Sequence, residues 1–166
     1  MTANVFVGYD TREDIAYQVC EFSIKRFNPN IAVTPLVQHE LRQKKIYWRE
    51  VDKLASTEFT FTRFLVPHLM NFKGWALFID CDIVFLEDVN NLFSLTDDRY
   101  AVMCVKHEFN PKPGLKMDGK SKQFTLGKIG LASFCGIVHI HLMRKLRLIA
   151  STTLISMELI SIGLVG

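Results

Sequence analysis

Along the first 125 residues, short apolar runs alternate with amphipathic or polar stretches. Residues 4–9 form the first apolar run, and Asp10-Thr11 ends it. Asp14 is placed to cap a helix whose apolar positions Ile15, Val19, Phe22 and Phe27 recur near the helical period. Asn28-Pro29-Asn30 breaks that helix, and residues 31–37 read as a second strand. Residues 38–55 are polar, with Tyr47 and Trp48 set among charges, and predict a surface excursion. A second helix is predicted over 61–70, with Pro67 placing a kink or break inside it. Residues 75–79 are apolar without alternation, the pattern of a central strand buried on both faces, and the run stops at Asp80-Cys81-Asp82. Residues 83–86 are apolar again, 90–93 predict a short helix or turn, and 100–105 another strand. Alternation of this kind predicts an α/β, doubly wound sheet with its ligand at the carboxyl ends of the strands.

The pattern changes near residue 125. Residues 126–166 contain no Pro, Asp, Asn or Gln, and their Leu and Ile show no clear alternation. A division into an α/β half, 1–124, and an atypical apolar and basic tail, 125–166, is therefore expected. The last 19 residues carry one charge, Glu158, and follow Arg144, Lys145 and Arg147. That is the length of a marginal membrane anchor. Glu158 near its centre weakens an anchor, and membrane association is not favoured. The net charge of +3 comes from the tail, whose four basic residues face one acid, while the first 125 residues are neutral. No basic patch requires nucleic acid as a partner. Four cysteines without paired spacing suggest buried free thiols rather than a metal cluster. Met1 leads directly into the strand-like Val5-Phe6-Val7, with no basic and apolar leader, so a reducing cytoplasmic setting is expected.

The chemistry is concentrated at the end of the central run. Carboxylates at i and i+2, such as Asp80 and Asp82, converge if the chain turns there. Their oxygens suit a hard cation, Mn²⁺ or Mg²⁺, that keeps its other positions for water and phosphate. Such an ion neutralises charge growing on a departing nucleoside diphosphate. Asp-x-Asp also occurs by chance in many loops, and Asp82 alone reads equally as a turn residue bonded to its own backbone.

The wider context narrows this. The run Phe59-Thr60-Phe61-Thr62-Arg63-Phe64-Leu65-Val66-Pro67, followed by Lys73-Gly74-Trp75-Ala76-Leu77-Phe78-Ile79-Asp80-Cys81-Asp82, resembles the GT-A fold glycosyltransferases of the family-8 type. The opening Phe6-Val7-Gly8-Tyr9-Asp10 is similar to that family's first strand. The resemblance spans roughly residues 4–123. It implies a mixed, Rossmann-like sheet with flanking helices and a nucleotide-sugar donor, most simply a UDP-sugar. It also implies an acceptor that is a glycan, lipid or protein. By the same resemblance Tyr9 and Asp10 contact the base, Arg63 the diphosphate or sugar, Asp80 the ribose and metal, and Asp82 the metal. Trp75 reads as core, and His107 with Glu108 as a solvated loop or acceptor-side lining.

Two other readings remain. Leu77 to Val84 is similar to the nucleophile motif of haloacid dehalogenase-like phosphatases, although 79 residues precede Asp80 and no Asp follows Asp118. The same residues also suit a non-catalytic sugar-nucleotide-binding module. The tail lacks the family's later motifs, and its codons permit a family-like Lys-Asn-Trp-x-Ser segment two bases on. A truncated or frameshifted chain after about residue 124 is the resulting expectation, which the coding DNA tests. Such a chain is expected to lack later strands, leave residues 102–105 or their neighbour as a sheet edge, and expose apolar surface.

Overall fold

The computed structural model describes residues 3–50, 55–100, 102–104 and 136–139. Its centre is a five-stranded mixed sheet in the order β2-β1-β3-β5-β4. The strands are β1 (Asn4–Gly8), β2 (Ala32–Leu36), β3 (Trp75–Ile79), β4 (Val102–Cys104) and β5 (Gly136–His139). β1 pairs in parallel with both β2 and β3, whereas β5 runs antiparallel to β3 and to β4.

Burial explains these positions. Every residue of β3 is buried, as its unbroken apolar run requires of a strand covered on both faces. β2 alternates in burial and, among the described residues, pairs with β1 alone, an edge position that tolerates the missing N–H of Pro35. The core gathers Val5, Val7, Leu36, Leu77, Phe78 and Ile79 from the strands with Cys20, Ile24 and Val66 from the helices.

Several expectations are corrected. Helix α1 (Asp14–Lys25) buries Cys20, Ser23 and Ile24. The predicted stripe instead faces outward, with Ile15 78% and Phe22 68% exposed. The helix is rolled because buried Ser23 is fixed: its hydroxyl donates to Cys20 O at 2.7 Å and accepts the Phe85 N–H at 3.0 Å. Asp14 caps nothing. The cap belongs to Asp10, whose carboxylate accepts the Arg12 N–H at the head of a 3₁₀ turn, Thr11–Glu13. The polar stretch after β2 contains α2 (Gln38–Gln43), closed by bonds from Lys45 N to Arg42 O and Ile46 N to Leu41 O around Lys45 at φ 55°.

The predicted second helix is split. A 3₁₀ turn, Thr62–Leu65, precedes α3 (Val66–Leu69), and Pro67 sits in the first turn of α3, where its missing N–H costs nothing. A fourth short helix, α4 (Asn90–Phe93), lies where expected. The tail supplies β5 between β3 and β4, a strand the residue pattern did not predict; β4 is the edge strand on that side among the described residues. No helix among the described residues is long and apolar enough to cross a membrane. The Leu148–Gly166 segment, His107, Glu108 and most of the tail lie outside the described residues.

Candidate functional site

β1 and β3 are parallel neighbours, so their carboxyl ends bring Tyr9-Asp10 and Asp80-Cys81-Asp82 to one side of the sheet. The two ends differ in how their polar atoms are used.

At the end of β1, the Asp10 side chain is fully buried. Its Oδ1 accepts the Arg12 N–H at 3.0 Å and Arg12 Nε at 2.9 Å. Its Oδ2 accepts Arg12 Nη2 at 2.7 Å and the Glu58 N–H at 3.2 Å. These donors hold the Asp10 carboxyl down at about 2, against the penalty of burial, with the Arg12 side chain the largest cause. Arg12 Nη2 also donates to Ser56 O at 2.9 Å, Thr11 Oγ1 to Glu58 Oε1 at 2.7 Å, and Gln38 Nε2 to Glu58 O at 2.9 Å. The segment around Glu58 is thereby tied to the ends of β1 and β2. Tyr9 is half-buried, donates its hydroxyl to Asp14 Oδ1 at 2.7 Å, and meets Tyr17 edge-on at 5.5 Å. That hydrogen bond to a carboxylate raises the Tyr9 phenol above its ordinary value.

Next to this tie, the Phe59 ring lies against Gly8. A methyl group on Gly8 would stand 2.5 Å from the ring, so glycine is what lets the ring approach. Phe59 O then accepts Arg63 Nε at 3.4 Å. The guanidinium lies 5.5 Å from the Phe59 ring centre and 5.2 Å from that of Phe78. Its Nη2 is 3.5 Å from Asp80 Oδ1, with both side chains more than nine-tenths buried. Burial lowers the Arg63 pKa and the Asp80 carboxylate opposes that.

Thr62 Oγ1 and Arg63 Nη1 are buried with no hydrogen-bond partner among the described residues. Buried polar atoms in that condition are uncommon and often sit where a ligand or water completes them. Thus the structure brings Arg63 against Asp80, and Asp82, two residues on, is exposed. It gives Asp10 a fully engaged carboxylate rather than an open one.

The donor set suits a hard divalent ion in part. Asp80 and Asp82 supply carboxylate oxygens two residues apart, and water and phosphate complete such a shell. No group of three or more potential metal ligands occurs among the described residues. Cys81 is not a ligand candidate: it is buried, donates to Glu13 Oε2 at 3.2 Å, and its thiol is pushed up to about 12, chiefly by burial.

Arg12 and Glu58 were not singled out by the residue pattern, whereas Phe59 and Thr62 lie in the run that carries the family resemblance but had no role assigned to them. A cleft of about 220 Å³ lies on the β1–β2 side, lined by Arg12, Gln38, Tyr47, Thr57, Glu58 and Phe61 among others. Arg63, Asp80 and Asp82 do not line it.

Residues 9–131 match Glycosyl transferase family 8. Protein CDI of Arabidopsis thaliana is 55% identical over 116 residues, 69% of this chain and 45% of that protein. The apo-form glycosyltransferase GlyE of Streptococcus pneumoniae TIGR4 superposes with a TM-score of 0.55 at 15% identity, covering 91% of this chain and 37% of its own. At that identity the likeness speaks for the fold, an α/β sheet of the GT-A kind. The chain spans less than half the length of either protein. Strand order, the motif run ahead of β3 and the match over most of its length lead to one conclusion: the chain belongs to glycosyl transferase family 8.

Proposed function

We propose that this chain carries the donor-binding half of a cation-dependent glycosyltransferase that takes a nucleotide-diphospho-sugar, a UDP-sugar, and passes the sugar to a glycan, lipid or protein acceptor. The observation that carries the proposal is the buried Arg63–Asp80 contact at the carboxyl end of β3, with Arg63 Nη1 and Thr62 Oγ1 lacking partners among the described residues. A guanidinium kept from water and short of acceptors favours a diphosphate, which offers oxygens to its planar fork. Asp80 and Asp82 would hold Mn²⁺ or Mg²⁺. The ion would supply charge neutralisation on the departing nucleoside diphosphate. Tyr9 forms the base end of the site. Family membership sets aside the dehalogenase-like phosphatase reading.

Titration calorimetry with UDP, with and without Mn²⁺, tests this. UDP binding that needs Mn²⁺ and is lost in Asp82→Ala is expected. UDP binding indifferent to Mn²⁺ and to Asp82→Ala would overturn the metal assignment, and no UDP binding at all would overturn the donor site. Sugar turnover with a UDP-sugar separates a transferase from a non-catalytic binding module.

A further inference from the structure

We infer that Asp10 and Arg12 act as a positioning latch: they do not touch the donor, but hold residues 56–59 on the end of β1 and so set Arg63 against Asp80. The inference rests on the donor-site reading above and refines it at Asp10.

The argument begins with capacity. An ionised carboxylate offers about four lone-pair sites. At Asp10 all of these are taken, by Arg12 N, Nε and Nη2 and by Glu58 N. With no exposed side-chain surface, Asp10 can reach a nucleotide base only by breaking one of those bonds. The bonds themselves lead elsewhere. Glu58 N–H and Ser56 O, anchored through Asp10 and Arg12, precede Phe59 directly. Phe59 is pressed on Gly8, its carbonyl takes Arg63 Nε, and its ring underlies the guanidinium that approaches Asp80. A continuous set of contacts thus runs from the end of β1 to the acidic pair at the end of β3. Groups that orient a ligand-binding side chain from behind characteristically change affinity when removed, although they never meet the ligand.

The test uses the whole chain and the variants Asp10→Asn, Arg12→Ala and their combination. UDP affinity in Mn²⁺ is read by calorimetry, and the Arg63 Nε–H by ¹⁵N NMR of the ligand-free protein. Each single variant is expected to weaken UDP binding by about tenfold. The combination should lose no more than the worse single variant, because the pair works as one unit. The Arg63 Nε–H signal should move in all three.

Arg12→Lys keeps a positive charge beside Asp10 but cannot span both carboxylate oxygens and Ser56 O, so an intermediate loss is expected even if the other variants fold poorly. Asp98→Ala, which removes the bond from Trp75 Nε1, serves as the control for general weakening and should move neither readout. Additive losses, or an Arg12→Ala protein with unchanged affinity and an unmoved Arg63 signal, would overturn the latch. Should the parent bind no UDP, the Arg63 signal decides alone: movement in the variants keeps the latch while the donor reading falls, and no movement removes the latch.

Discussion

The ends of β1 and β3 sit side by side in the sheet, and each carries a buried aspartate facing an arginine. At the end of β1, Asp10 and Arg12 are joined by short bonds, and backbone groups take up what capacity remains. At the end of β3, Arg63 reaches Asp80 only at 3.5 Å, and Arg63 Nη1 and Thr62 Oγ1 find no partner among the described residues. The first arrangement has the completeness of framework, and the second has unused bonding capacity in a place shielded from water. The difference teaches which strand end has polar groups to spare for a ligand. A buried acid whose acceptor sites are all taken stabilises the fold; a guanidinium nitrogen buried without a partner among the described residues is where a ligand oxygen fits.

Substitutions can break this contrast. The largest effect is expected at Gly8→Ala, where the added methyl group meets the buried Phe59 ring at 2.5 Å. Overpacking of that severity costs about 3 kcal/mol, read as a lower urea midpoint at unchanged slope. A smaller cost falls on Asp10→Asn, which loses a carboxylate held at about 2 against an ordinary 3.8. Because the folded value is depressed, its contribution is complete above pH 3.8 and disappears as the pH falls toward about 2. Chemical denaturation across that range should show the parent losing about 2 kcal/mol that Asp10→Asn does not lose. If both lose stability in parallel, Asp10 is not the anchor described here.

The opposite behaviour is expected at the other strand end. Arg63→Met combined with Asp80→Asn should leave stability within about 1 kcal/mol of the parent, since replacing both members of a buried ion pair by uncharged side chains of similar size is often close to neutral. UDP binding should nevertheless vanish in calorimetry. A large stability loss in this double variant would make the Arg63–Asp80 pair framework as well, and the contrast would collapse. The smallest effect tests neither end. Lys45→Gly relieves a non-glycine residue at φ 55° and should add about 0.5 kcal/mol of stability, read as a higher urea midpoint, without changing UDP affinity.

How much of this was legible beforehand depends on distance along the chain. The α1 face was misread because Ile15, Val19 and Phe22 satisfy the helical period as well as Cys20 and Ile24 do. A buried hydroxyl, Ser23, bonded to Phe85 across the fold, chooses between the two faces. Pro67 was recognised as a break, but its place in the first turn of a new helix depends on the 3₁₀ turn before it. β5 left no alternation to read, since a four-residue strand inserted between two others takes its register from its neighbours.

The amino-acid sequence by itself determined the central strand and the position of the acidic pair at its end. An unbroken apolar run of five residues has the pattern of a strand covered on both faces, and the two aspartates that flank a cysteine mark where it stops. It also carried family membership, through motifs that lie close together. Only the tertiary structure decided that Asp10 is framework and that Arg63 is the cation at Asp80. The first depends on a bond between residues 48 apart, and the second on an aromatic ring packed against a glycine in another strand. Local pattern records which residues must leave water; which polar groups then meet is settled by packing, and that partnership separates a structural carboxylate from one available to a ligand.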